Sequence, residues 1–545
     1  MIRSGILAVA VALGALASAA QNGPGSFTIS GVVRSATSGA PLDRAEVTLS
    51  TAGEQETQIA ETITGERGAF RFEALAAGKY VLAASRRGYI SARYQEHEGG
   101  YSTAIVTGPD LVSESLRFNL FPTAVIGGVV SDDNGDPVGG AQVTLYRRQQ
   151  QGGETKIVSA DADSTEEDGS YEFDRLHAGA YYIGVSATPW YAFRPPQRVA
   201  PDGTLLSADQ QPRSPLDVAY PMTFYADATD SSSATPIQIN PGDHPQLNLT
   251  LHAVPAVRIE VHAPKPDMKH GFAIPQLSED VFGSEEYQAP VQVSERDVGD
   301  QVVIDLGSVA PGHYVLHDFI VNGVNRRASI SLTADQSIDF TEPGNAIDLS
   351  GRLEMSSGAA LAPVTMLQLV PAGGGGGTVS APASADGSFD LHAVAPGEYT
   401  VQVTTSTGIL DIVQMAASGA EVHGHRITIG SDSVLLAAMV SRGSVSVTGF
   451  ARREGKGIGG ALVLLVPEHP QDNDDLFRLD QSDSDGSFSL GRVLPGNYTL
   501  VAIENGWTLE WSRPEVIAPY LARGVKIHIN EQQTSVELPS PVEVQ

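Results

Sequence analysis

Runs in which every second residue is apolar recur along the chain: Ala45-x-Val47-x-Leu49, Leu116-x-Phe118-x-Leu120, Tyr399-x-Val401-x-Val403 and Tyr498-x-Leu500-x-Ala502 are four of them. Residues two apart share one side of an extended strand, so each run predicts a strand with one buried face. The runs are short and end at Gly, Pro, Asn or Asp, residues that make turns. A 3.6-residue periodicity is almost absent. The pattern predicts an all-β chain of many short strands, packed as sandwiches.

The strands belong to a repeat. The spacing Gly-x-aromatic-x-apolar-x-x-apolar-x-x-Gly-x-Tyr occurs as Gly68, Phe70, Phe72, Leu75, Gly78, Tyr80 and as Gly169, Tyr171, Phe173, Leu176, Gly179, Tyr181. It returns as Gly387, Phe389, Leu391, Val394, Gly397, Tyr399 and as Gly486, Phe488, Leu490, Val493, Gly496, Tyr498. A degraded copy keeps Ile304, Leu306, Val309, Gly312 and Tyr314. Repetition at a fixed spacing signals a repeat architecture. Each motif reads as a tight Asp-Gly turn, a strand, a bend and a second strand, with positive φ expected at Gly397 and Gly496 of the bend.

A second element precedes four of the motifs: a strand carrying Gly (Gly31, Gly128, Gly351, Gly449), a polar turn, and a further strand such as Ala141-x-Val143-x-Leu145. Leu116 to Leu120, Leu247 to Leu251 and Val525 to Ile529 read as strands that close units. The expected organisation is a tandem array of five sandwiches at 26–121, 122–253, 254–343, 344–441 and 442–541, each meeting only its neighbours in sequence. Phe193 to Pro221 is a Pro-rich insertion in the second unit, and Gly373 to Gly377 is expected to be an exposed hairpin loop. The stretch 264–290 carries no legible pattern.

Composition narrows the function. The 545 residues hold 34 Lys and Arg against 64 Asp and Glu, a formal charge of −30. A surface this acidic disfavours nucleic acid and anionic membrane as partners. There is no cysteine, so disulfides, thiolate metal sites and cysteine nucleophiles are excluded. Arg3, the apolar run Ile6 to Leu16 and Ala17-Ser18-Ala19 have the form of a cleaved export signal covering 1–20. No later segment is apolar for the length of a membrane span. The mature protein is expected outside the cytoplasm, in the periplasm, on the outer surface or in the medium.

Candidate chemistry is sparse. His528-Ile529-Asn530-Glu531 spells half a zinc-peptidase site but lies in a strand near the end of the chain. His423-Gly424-His425 offers two metal ligands, which is too few. No Gly-x-Ser-x-Gly elbow or phosphate loop occurs. The clusters Asp132-Asp133-Asn134-Gly135-Asp136, Asp472 to Asp475 and Asp483 to Gly486 lack a calcium loop's ligand order and read as turns. The sequence therefore assigns no catalytic residue, no metal ligand and no cofactor. The binding candidates are aromatics outside the repeat: Trp190, Tyr191 and Phe193 before the insertion, Phe224 and Tyr225 after it. Such rings stack on sugar faces or anchor peptides when exposed, and fill a core when buried. Trp507, Leu509 and Trp511 are expected to alternate along a strand and face a core.

In Ile126 to Val130, Asp136-Pro137, Ala141-Gln142-Val143, Asp168-Gly169-Ser170-Tyr171 and Ala178-Gly179-Ala180-Tyr181 the chain resembles the carboxypeptidase regulatory-like domain. That is a prealbumin-like sandwich related to the collagen-adhesin B repeats and to the carbohydrate-binding-like fold. The first, second, fourth and fifth units fit well. The resemblance implies an Ig-like, prealbumin-like β-sandwich and an accessory role, since such domains occur in peptidases, adhesins and outer-membrane receptors without carrying chemistry themselves. The function this favours is a non-enzymatic scaffold or adhesin-like binding protein at the cell envelope, with a protein or polysaccharide partner. The alternative is a carbohydrate-binding protein using the aromatics of the second unit.

Overall fold

A computed structural model describes residues 26–545 apart from 54, 98, 194, 196–213, 266–273, 322–323, 342–346, 373–377, 444, 472 and 531–532. The export signal, the five glycines and most of the Pro-rich insertion lie outside the described residues. The strands that flank the glycines, Thr365–Pro371 and Val379–Pro382, pair antiparallel.

The described strands build five sandwiches on one plan. In each, a first strand lies between the motif strand, antiparallel to it, and a closing strand, parallel to it. The first strand is Phe27–Ser35, between Ala69–Leu75 and Leu116–Leu120. In the second sandwich it is Ala124–Asp132, between Ser170–Leu176 and Leu249–Leu251. The same order returns with Val257–Pro264 between Gln301–Val309 and Gln336–Asp339, and with Ile347–Met355 between Ser388–Val394 and Val434–Ser441. In the fifth it is Val445–Arg453, between Ser487–Val493 and Ser535–Glu537. The facing sheet centres on the strand that begins at the second motif glycine, for example Gly78–Ser85 against Glu46–Thr51.

Two expectations about strands are corrected. Val525–Ile529 does not close the fifth unit: it pairs with Gly496–Ile503 in the facing sheet, and Ser535–Glu537 and Val542–Glu543 take the closing place. Its alternation is weak, with only Ile529 buried, because it is an outer strand with one exposed face. The stretch 264–290 also has structure, since Gln276–Val281 and Ser284–Gln288 form a hairpin in the third sandwich.

Alternation becomes packing directly. Ile29, Val33, Val47, Leu49, Phe70, Phe72, Tyr80, Leu82, Phe118 and Leu120 form one closed cluster in the first sandwich, and the other four hold equivalent clusters. Burying one such side chain stabilises the fold by about 1.5–3 kcal/mol, so each core is the main stabilising force of its unit.

The motif glycine ties the two ends of the repeat together. Gly387 has φ +88°, and a Cβ placed on it would lie 2.1 Å from the carbonyl oxygen of Leu353 in the first strand. Its own carbonyl accepts the Leu353 N–H at 2.9 Å. Gly68, Gly169 and Gly486 repeat that hydrogen bond with Val33, Val130 and Ala451. Only glycine satisfies both the left-handed backbone and the close approach. The bend glycines Gly397 and Gly496 differ: they lie at φ 158° and 154° with ordinary clearance around them.

The φ of Gly397 and Gly496 is positive, as expected, and the αL position of the bend falls on a residue other than glycine, Ala74, Arg175, Ser308, Ala393 and Arg492, at φ 54–61°. At each of them the pairing with the first strand slips, as in a β-bulge. The bulge turns the chain toward the facing sheet, where the motif tyrosine fastens it. Tyr80, Tyr181, Tyr314 and Tyr399 each donate their hydroxyl to the carbonyl four residues upstream, at 2.8–3.0 Å. Burial pushes the phenols of Tyr314 and Tyr399 upward, so they stay protonated donors. A buried hydroxyl bridges a loop in three units: Thr64, Thr165 and Ser482 accept the N–H of Ala45, Ala141 and Ala461 and donate to Leu42, Val138 and Ile458.

The units do not meet only their neighbours. The fifth contacts the fourth through the Asp411 carboxylate, which lies 3.2 Å from Arg478 and 3.5 Å from Arg492. It also reaches back to the first and second. Ser512 donates its N–H and hydroxyl to the carbonyl of Gly153, at the tip of the long hairpin Gln142–Gln151 and Glu154–Ser164, and Gln150 donates to Thr508. The Trp511 ring lies flat on Gly153, leaving no space for a side chain there. Trp507, Leu509 and Trp511 are thus not a strand. They span a 3-10 turn, Gly506–Thr508, and the approach to the helix Pro514–Leu521, and they cover a second apolar cluster with Phe477 and Ile517.

Two substitutions test the turn lock. Gly387→Ala should lower the stability of the fourth sandwich by more than ~2 kcal/mol through backbone strain and the carbonyl clash. Ala393→Gly, six residues on, should be neutral or stabilise by up to ~1 kcal/mol because it relieves a left-handed alanine. Urea denaturation of each variant beside the parent measures both.

Candidate binding surface

The five aromatics proposed from the sequence separate into two groups. Trp190 is 88% exposed and Phe193 55% exposed, and both precede the insertion on the surface of the second sandwich. Trp190 meets Tyr191 edge to face at 5.7 Å, and the Phe193 N–H bonds to the Leu216 carbonyl, which pins this segment to the far end of the insertion. Tyr191 is half-buried, and a hydrogen bond links it to Tyr220.

Phe224 and Tyr225 are not part of that surface. Phe224 is 1% exposed and joins Tyr146, Tyr182, Met222 and Val281 in a cluster that spans the second and third sandwiches. Phe282 of the third unit enters it, with ring centroids 4.8 Å from Tyr182, 5.2 Å from Tyr146 and 5.6 Å from Phe224. Tyr225 packs on the core of its own sandwich. Phe224 is spent on a domain junction and Tyr225 on its own core, and the partner Phe282, next to Val281 in another unit, left no trace in the local pattern.

Below that junction lies a cleft of about 650 Å³ lined by Asp230, Glu279, Asp280, Phe282, His313 and Tyr314. Burial, with Asp230 adding to it, pushes the Glu279 carboxyl up to about 7. Asp230 is held the other way, below the usual carboxylate range, chiefly because it accepts the Ser232 hydroxyl and N–H.

His528 lies in an exposed strand against the Asn497 side chain, and Glu531 lies outside the described residues. His425 faces Asp475 of the fifth unit at 3.4 Å, beside a cleft of about 310 Å³ that His423 and Asn473 also line. Among the described residues no three His, Asp or Glu side chains gather as metal ligands. The acidic turns are held by their own backbone: Asp132 accepts from Asn134 and Asp136, while Asp168, Asp386 and Asp485 accept from the serine two residues on. One pair escaped the sequence altogether. Ser278 and His317 hydrogen-bond across adjacent strands of the third sandwich, both buried, so the serine hydroxyl has no access to a substrate. No helix among the described residues is long and apolar enough to cross a membrane.

Residues 28–106 and 125–208 match the family model of the carboxypeptidase regulatory-like domain. The first two sandwiches are similar to carboxypeptidase regulatory-like domains. No curated protein matches the chain. Among solved structures, the minor pilin GBS52 of Streptococcus agalactiae is 15% identical over 42% of this chain and 97% of its own, with a TM-score of 0.20. The Bacillus anthracis TIE protein is 10% identical over 76% of this chain and 74% of its own, at a TM-score of 0.15. The major pilin BcpA of Bacillus cereus is 10% identical over 77% of this chain and 99% of its own, at 0.13. At such scores the overlap transfers nothing from those proteins. The regulatory-like match and the common strand order rest on this chain's own residues.

Glu279 gives a pH test of the junction. A carboxyl raised in the folded state binds its proton more tightly there than in the unfolded chain, so its unfavourable burial is fully felt above pH 7 and is relieved as pH falls from about 7 towards the ordinary glutamate value. Glu279→Gln should therefore raise the melting temperature at pH 8 and leave it unchanged at pH 4, as differential scanning calorimetry at the two values will show.

Proposed function

We propose that the protein is a non-enzymatic, exported scaffold of five β-sandwiches at the cell envelope, with an adhesin-like binding role. The observation that carries this reading is the way the fifth sandwich braces the first, second and fourth. Such bracing makes a stiff frame from modules that elsewhere serve as accessory domains, and it leaves the Trp190 and Phe193 rings outside every core. A large exposed aromatic pair on a rigid support is the composition of an interaction hot spot. The polypeptide supplies hydrogen-bonded turns and packed cores in place of a reactive site, and the buried Ser278–His317 pair serves a strand junction.

The carbohydrate-binding alternative draws on the same spur, the exposed segment from Trp190 to Phe193. A flat indole held edge to face by Tyr191 presents one side for stacking on a pyranose ring. The two readings separate in one experiment. Binding of the purified chain to isolated envelope material, measured with and without soluble polysaccharide as competitor, should fall about tenfold in a Trp190→Ala/Phe193→Ala variant. Competition by polysaccharide supports the sugar reading. Protease sensitivity of the envelope receptor supports a protein partner. Unchanged binding in the double variant overturns the spur as the binding surface.

A further inference from the structure

Two of the contacts between units differ in what they leave open. The first and fifth sandwiches meet through hydrogen bonds, from the Ala104 N–H to Asp483 Oδ1 at 3.1 Å and from the Val106 N–H to Ser484 Oγ at 2.8 Å, with Lys79 paired to the other Asp483 oxygen. The second and third meet through aromatic rings and leave the cleft of about 650 Å³ beneath them. One side of that cleft is the 3-10 turn Ser231–Ser233 of the second unit, capped by Asp230. The other is the tip of the hairpin Gln276–Val281 and Ser284–Gln288 of the third. The Phe282 N–H donates to the Ser231 hydroxyl at 3.2 Å, so turn and tip are held together. Pro221, Val254, Pro311 and Tyr314 complete the walls, and the volume is that of a small-ligand site.

The charge of the cleft is one-sided. Asp230, Glu279 and Asp280 line it, and its lining includes His313 but no lysine or arginine. Asp230 and Asp280 are exposed, and each is held by its own turn through Oδ1: Asp230 accepts the Ser232 N–H and Asp280 the Gly283 N–H, both at 2.7 Å. Glu279 is half-buried on an inner strand of its sheet, with Tyr287 and Tyr314 as its cross-strand neighbours. The charge that acts on it is that of Asp230, which repels it. A partly desolvated carboxylate beside another carboxylate is unfavourable, and a bound cation relieves it.

The walls decide which cation. Among the described residues no three His, Asp or Glu side chains gather as metal ligands, so these carboxylates are too widely spread for the shell of a compact ion. Apolar surface from Phe282, Val254, Pro221 and Pro311 lies in the same cleft. The Phe282 ring is fixed from behind by Tyr146, Tyr182 and Phe224. An ammonium group on an aliphatic stem fits both features, because the stem covers apolar wall while three N–H donors serve separate carboxylates. A planar guanidinium is matched instead to the two oxygens of one carboxylate.

We propose that the cleft between the second and third sandwiches binds a primary ammonium group on an aliphatic chain, supplied by a lysine side chain of a partner or by a free diamine or polyamine. Glu279 is the central anion, Asp230 and Asp280 flank it at the mouth, and Phe282 carries the stem. The site is separate from the Trp190 and Phe193 rings, which do not line it. The net charge of −30 favours the approach of such a cation from solution.

Isothermal titration calorimetry of the full chain at pH 8 tests this with two probes, cadaverine and acetyl-lysine amide. Each should bind saturably at one site, with a Kd below about 1 mM. Pentanol, which has the stem without the charge, and magnesium chloride at equal ionic strength, which has charge without the stem, should displace neither. Glu279→Gln should weaken amine binding about tenfold and Asp280→Asn about threefold. Either order of the two probes supports the site, and the tighter one names the source, free amine or protein lysine. Absence of saturable binding by both amines at millimolar concentration, displacement by magnesium as effective as by amine, or full binding in Glu279→Gln overturns the proposal. If Glu279→Gln does not fold, unchanged binding in Asp280→Asn overturns it as well.

Discussion

Everything in this molecule hangs on the approach of a turn to a strand. The motif glycine places its carbonyl under the N–H of the first strand, in a space that no Cβ could enter, and in the four sandwiches that carry it this crossing fixes where the motif strand meets the first strand. Once it is made, the bulge at the left-handed residue redirects the chain, and the tyrosine hydroxyl ties the new strand back to the bend. The third sandwich lacks the glycine yet keeps the bulge at Ser308 and the hydroxyl tie of Tyr314, so its core strands retain the common order. Packing and hydrogen bonding reinforce each other here, because the residues that fill the core also fix the register.

The units are alike inside and different at their boundaries. Aromatic rings join the second sandwich to the third, a carboxylate between two arginines joins the fourth to the fifth, and hydrogen bonds on a strand edge join the fifth to the first. These are three kinds of interface with three sensitivities. The aromatic junction depends on burial, the arginine junction on charge pairing, and the edge contact on hydrogen bonds and one ion pair. The fifth sandwich differs from its siblings because it carries the turn, the tryptophans and the short helix that meet the first and second units, and an array whose fifth module locks on to its first resists bending more than a chain of beads.

The proposed binding role attaches to what is left outside. Trp190 and Phe193 gain no stability for the fold from their exposure, and their segment is tied at both ends of the insertion by the Phe193 and Leu216 backbone bond. The binding role proposed for the surface and the structural role of the interior follow the same division that the repeat makes between motif residues and insertions.

The sequence by itself determined the all-β class, the repeat and the buried face of most strands, because alternation, Asp-Gly turns and the glycine spacing are local and act within about fifteen residues. It also marked Asp168, Asp386 and Asp485 as turn residues, and each accepts from the serine two residues on. Tertiary structure alone decided the rest. Val525 to Ile529 alternates like a closing strand, but which strand it joins depends on a partner some thirty residues away. Phe224 and Trp190 look equivalent in the chain, and only the arrival of Phe282 from another unit makes one of them core and leaves the other in water. The contact of Asp483 with Ala104 joins positions nearly four hundred residues apart, and its energy comes from the three-dimensional meeting of a turn and a strand edge, for which no local pattern exists.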